Sequence, residues 1–167
     1  MSKSMEKQFV AVLNQNRAAL FKICKIYCAD PEDRRDLFQE IVIQLWQAFP
    51  TFRGESGAST WVYRIGMNTA ISNFRKTTNR RSTSPFSSFD MEIPELQDTA
   101  ENPIDTGPLY QAIDQLNVIE KALVLLYLED KSYDEMSAIL GISKSNVGVK
   151  LNRVKTKLEK LIKTQTL

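Results

Sequence analysis

Four prolines in one stretch, Pro85, Pro94, Pro103 and Pro108, divide this chain. Each lacks an amide donor and pushes its predecessor out of the helical region, so no continuous helix can cross the stretch. Residues 83–107 also carry six acids (Asp90, Glu92, Glu95, Asp98, Glu101 and Asp105) and no base. The segment reads as a flexible acidic linker between one domain at 1–82 and another at 108–167. The flanks are cationic: thirteen Lys/Arg against seven Asp/Glu before it, nine against seven after it. Two basic ends are thus joined by an acidic strap, a layout that any functional reading has to explain.

Both flanks carry helical periodicity and neither shows the period-two alternation of strands, so the fold class is all-α. Before the linker, three helices are expected. The first spans about 5–28, with Phe9, Val12, Leu13, Leu20, Ile23 and Cys24 on its apolar face. Asp30 as cap and Pro31 at the first helical position open the second, which carries Leu37, Phe38, Ile41, Leu45 and Trp46 until Pro50 stops it. The third starts after Ser59 or Thr60 and ends in the basic run Arg75, Lys76, Arg80 and Arg81. After the linker, four shorter helices are expected at about 109–115, 117–129, 133–140 and 144–163.

The last two form a helix-turn-helix pattern. Ser132 and Glu135 suit a capping box, Gly141 suits a positive-φ turn, and Ser143 can cap the final helix. Val147, Leu151, Val154 and Leu158 make its inward stripe. Lys144, Ser145, Asn146, Lys150, Arg153, Lys155 and Lys157 lie off that stripe and are candidates for phosphate and base-edge contacts. Gly148, inside this helix, either permits close backbone approach to DNA or simply weakens the helix.

The chain has no histidine and no phosphate-cradling glycine loop, which removes His-based catalysis and His metal sites. No enzymatic activity, metal, cofactor or small-molecule substrate is expected. Cys24 and Cys28 read as small apolar residues of a reduced cytoplasmic protein. No apolar run is long enough to span a membrane, so no membrane insertion is expected.

The motifs DLFQE, LW, FRGES, TW and YRI-x-x-N, in that order between Asp36 and Asn68, resemble bacterial sigma factors of the extracytoplasmic-function group. The helix-turn-helix resembles the same family's second DNA-binding domain. Ala58, Ser72, Asn117, Gly148 and Asn152 depart from residues frequent in that family. The resemblance implies a factor that binds core RNA polymerase through the β′ clamp helices and the β flap and directs it to promoter DNA, duplex and melted. It also implies an anti-sigma partner, and a linker running near the polymerase active centre.

Residues can be matched to those roles. Asp36, Gln39, Glu40 and Trp46 form a mixed face on the second helix, and the resemblance assigns it to polymerase. Phe52, Trp61 and Tyr63 are aromatics; Arg53, Arg64, Arg75 and Lys76 are cations; Asn68 and Asn73 add hydrogen bonding. Together they suit single-stranded DNA, which the resemblance identifies as the minus-ten element. The basic face of the last helix is then assigned to the minus-thirty-five element. Two competing readings are a self-sufficient helix-turn-helix regulator, and a module whose basic helix binds acidic proteins.

Overall fold

The computed structural model describes residues 2–54, 57–79 and 107–165. The expected linker, except for Gly107, lies outside the described residues, as do Arg80, Arg81 and the Glu55–Ser56 pair of the FRGES loop. Among the described residues there are eight α-helices, one 3-10 turn and no strand.

The first expected helix is two: α1 (Lys3–Gln15) and α2 (Arg17–Tyr27). The break falls at Asn16, whose φ of −112° and ψ of 8° leave the helical basin and whose Nδ2 donates to Val12 O at 2.8 Å. A short amide side chain that captures a local carbonyl competes with the helix ladder, and here it wins. Helix α3 (Pro31–Ala48) starts as expected, with Asp30 accepting from the Glu32 amide at 3.0 Å, and passes into a 3-10 turn at Phe49–Thr51. Helix α4 (Ala58–Asn79) lies across α2 and α3, its Val62 and Met67 buried with Leu20, Ile23, Leu37, Ile41 and Leu45. Gly66 makes that crossing possible. A Cβ there would sit 3.0 Å from Leu20 Cδ2 and 3.3 Å from Ile23 Cδ1.

The second region comprises α5 (Gly107–Asp114), α6 (Val118–Leu128), α7 (Tyr133–Leu140) and α8 (Lys144–Gln165). The full capping box lies at α6, where Asn117 Oδ1 accepts from the Glu120 amide at 2.9 Å and Glu120 accepts from the Asn117 amide at 3.0 Å. At Ser132 only half of the expected box forms. Its Oγ accepts from the Glu135 amide at 3.1 Å, but the Glu135 carboxylate lies 3.8 Å from Lys131 Nζ. Gly141 closes α7 at φ +70°, and Ser143 Oγ accepts from the Asn146 amide at 3.1 Å to open α8.

Helix α6 is apolar on nearly every side, with Ala122, Leu123, Val124, Leu125 and Leu126 all buried. A helix of that kind must be covered all round. Helix α8 packs on one side of it, and α2 and α4 of the first region on another. The two regions therefore share a joint in which even Lys121 is buried, its Nζ 5.0 Å from the Phe74 ring. At the C-terminal end of α2, Cys24 is buried and Cys28 half-buried. Burial pushes the Cys24 thiol up to about 12 and the Cys28 thiol up to about 11. Both are poor nucleophiles at neutral pH.

Candidate nucleic-acid and polymerase interfaces

Helix α3 turns Asp36, Glu40 and Gln44 along one edge, with Gln44 Nε2 donating to Glu40 Oε1 at 3.1 Å. These side chains, with Asp33, form one wall of an open groove whose other wall is Asn68, Ser72, Asn73 and Lys76 of α4. Acidic residues expected to meet polymerase and polar residues expected to meet DNA thus line a single cleft. Gln39 is half-buried beside it, and Arg75 is exposed on α4. Trp46 turns elsewhere. Its ring meets Phe9 edge-on at 4.9 Å, filling the seam between α1 and α3.

The aromatic set is divided as well. Trp61 is only 9% exposed and packs 4.7 Å from Phe52, which is half-buried; Arg53 beside them is exposed. Tyr63 is buried, and its hydroxyl donates to Glu129 Oε2 at 3.0 Å. Lys131 Nζ lies 4.8 Å from the Tyr63 ring and donates to Ser59 Oγ at 2.8 Å. Arg64 Nε donates to Ala138 O at 3.1 Å. Of the residues expected to bind melted DNA, Tyr63 is therefore covered by the second region, and Arg64, though exposed, is tied to it by one hydrogen bond. Lys22, which donates to Glu129 Oε1 at 2.6 Å, and Tyr27, which donates to Val118 O at 2.6 Å, complete the joint. Glu129 and Lys131 carried no signal in the sequence, since a lone acid and base after an apolar helix look like ordinary surface charges.

Helix α8 is different. Val147, Leu151 and Val154 are buried, while Lys144, Ser145, Asn146, Lys150 and Arg153 are all exposed. Lys144 pairs with Asp134 at 3.4 Å, across the turn of the helix-turn-helix. Lys155 and Lys157, though exposed, are turned onto their own domain: Lys155 Nζ sits 4.0 Å over the Tyr127 ring and Lys157 Nζ pairs with Glu120 at 3.0 Å. Gly148 packs toward α7, where an added Cβ would meet Tyr133 Cε2 at 3.5 Å, an ordinary contact.

Residues 12–80 match the sigma-70 region 2 family and residues 106–158 match sigma-70 region 4. The chain belongs to the extracytoplasmic-function group of RNA polymerase sigma factors. As such it binds core RNA polymerase and directs promoter-specific initiation of transcription. It is 26% identical over 151 residues to the ECF sigma factor SigX of Bacillus subtilis, covering 86% of this chain and 77% of that protein. It is 28% identical over 149 residues to the sigma-H factor of Pseudomonas aeruginosa, covering 80% and 75%. The fold resembles the sigma factor RpoE of Bartonella quintana, solved with the anti-sigma factor NepR (TM-score 0.70, 18% identity, 97% of this chain and 98% of that one). It also resembles CnrH, solved with the cytosolic domain of CnrY (TM-score 0.69, 18% identity, 95% and 90%). Sigma factors in general are not enzymes. No described helix is long and apolar enough to cross a membrane, and no cluster of three or more His, Cys, Asp or Glu among the described residues could hold a metal.

Proposed function

We propose that the sigma factor works through three surfaces, by binding alone and in the cytoplasm. The acidic edge of α3, with Asp36, Gln39 and Glu40, meets the clamp helices of polymerase β′. The polar wall of α4, with Asn68, Asn73, Arg75 and Lys76, holds the melted minus-ten strand, joined by Phe52, Arg53, Trp61, Tyr63 and Arg64. The outward face of α8 reads the minus-thirty-five duplex through Ser145, Asn146, Lys150 and Arg153, with Lys144 near the first phosphates. An apolar groove lined by Leu109, Val124, Tyr127, Leu128 and Leu158 is suited to an amphipathic segment such as the β flap.

The observation that carries this reading is the open cationic and polar face of α8 set over a fully buried stripe. Because Tyr63 and Arg64 are held by Glu129 and Ala138, the minus-ten surface is complete only when the two regions part. One of the two similar structures holds a sigma factor with the anti-sigma factor NepR and the other holds CnrH with the cytosolic domain of CnrY, which supports an anti-sigma partner for this chain. Run-off transcription with purified core polymerase on a promoter library tests the whole reading. New start sites should appear when the chain is added, and unchanged transcripts would reject it.

A further inference from the structure

Val149 stands at the apex of the open face of α8. It is two residues from each of Val147 and Leu151, both fully buried, so the 100° step per residue points it away from the core. Its surface is 50% exposed. One turn away on either side lie Ser145, Asn146, Asn152 and Arg153, all exposed and all able to hydrogen-bond. Valine is a weak helix former and half of its surface here stays in solvent, so neither helix propensity nor a place in the core accounts for it. Its neighbour Gly148 is turned toward Tyr133, which leaves the isopropyl group as the apolar centre of a polar ring.

In the major groove only one base presents an apolar group, the C5-methyl of thymine. We propose that Val149 is a specificity residue that packs against a thymine methyl in the duplex element, while Ser145, Asn146 and Arg153 engage neighbouring base edges and phosphates. The proposal rests on α8 being the helix that enters the groove, and it adds the chemistry by which one position is read.

The test uses holoenzyme assembled from the full chain and core polymerase, on the element selected from a promoter library. Each thymine of that element, on both strands, is replaced in turn by deoxyuridine, which removes only the methyl. Wild-type holoenzyme should lose about fourfold in affinity at one position, the effect of one buried methyl group. Val149→Ala, which favours the helix and should fold, should bind more weakly overall and be indifferent to uridine at that position. Wild type indifferent to every replacement, or Val149→Ala retaining the same sensitivity, overturns the thymine contact while leaving DNA binding by α8 intact. If no element is selected and Lys150→Ala with Arg153→Ala leaves DNA retention unchanged, the underlying reading of α8 fails and takes this contact with it.

Discussion

Tyr63 of α4 donates its hydroxyl to Glu129, the residue that ends α6, at 3.0 Å. The bond ties a residue of the first region to the tip of the second, and Lys22 takes the other Glu129 oxygen at 2.6 Å. Removing one partner of a buried hydrogen bond leaves the other unsatisfied, at a cost of about 1–3 kcal/mol. Glu129→Leu should therefore loosen the joint, seen as a longer distance between dyes placed on α1 and α8. A double-mutant cycle of Tyr63→Phe with Glu129→Leu should show coupling of about 1 kcal/mol. Strictly additive effects would mean the contact holds nothing.

Two glycines inside helices should respond to alanine with opposite signs. At Gly66 a Cβ meets Leu20 and Ile23, both fully buried with little room to yield. Gly66→Ala should destabilise by about 1 kcal/mol despite its better helix propensity, and Gly66→Val by roughly 3 kcal/mol. At Gly148 the Cβ meets only the Tyr133 ring at a comfortable distance, so Gly148→Ala should stabilise by about 0.5–1 kcal/mol. Urea unfolding midpoints of the three variants decide both signs.

Asn117 and Glu120 satisfy each other's amides at the start of α6. Asn117→Ala should cost about 1 kcal/mol in thermal or urea unfolding, more than Ser132→Ala at the half-formed box of α7. An equal loss at the two sites would show that the reciprocal bond adds nothing.

The chain should weaken in alkali. Cys24 is raised by burial from 9.0 to about 12, and Cys28 from 9.0 to about 11. The unfolded chain then releases these protons first, so their contribution to stability is intact below pH 9.0 and falls as pH rises toward the folded values. Burial and the Glu129 carboxylate hold the Tyr63 hydroxyl above its usual range in the same sense. Urea midpoints should hold up to pH 9.0 and decline as pH rises from there toward about 11, and Cys24→Val should flatten part of the decline. Native Cys24 should also resist alkylation at pH 8 until the chain is unfolded.

Much of this was legible before any coordinates. Prolines, caps and apolar spacing located the helices because each acts within a few residues of itself, as at Asp30, Gly141 and Ser143. Asn16 was missed because its side chain's grip on Val12 O competes with an otherwise continuous apolar pattern. The buried stripe of α8 could be read from its period, and its open face from what remained. The joint could not be read, because Glu129, Lys131 and Ala138 meet Tyr63, Ser59 and Arg64 through tertiary packing alone. For the same reason the contacts of Lys155 with the Tyr127 ring and of Lys157 with Glu120 had no local signal.

Helix α6 carries a further consequence. Leu125 lies one turn from both Lys121 and Glu129, on the side that α2 and α4 cover. If the regions part, as the proposed minus-ten binding requires, that leucine and the ring of Phe74 would lose their shelter and meet solvent, at about 25 cal/mol for every Å² laid bare. A parted state would thus be costly in isolation and durable only in company, so whichever macromolecule wraps the bared stripe would determine how long the factor stays armed.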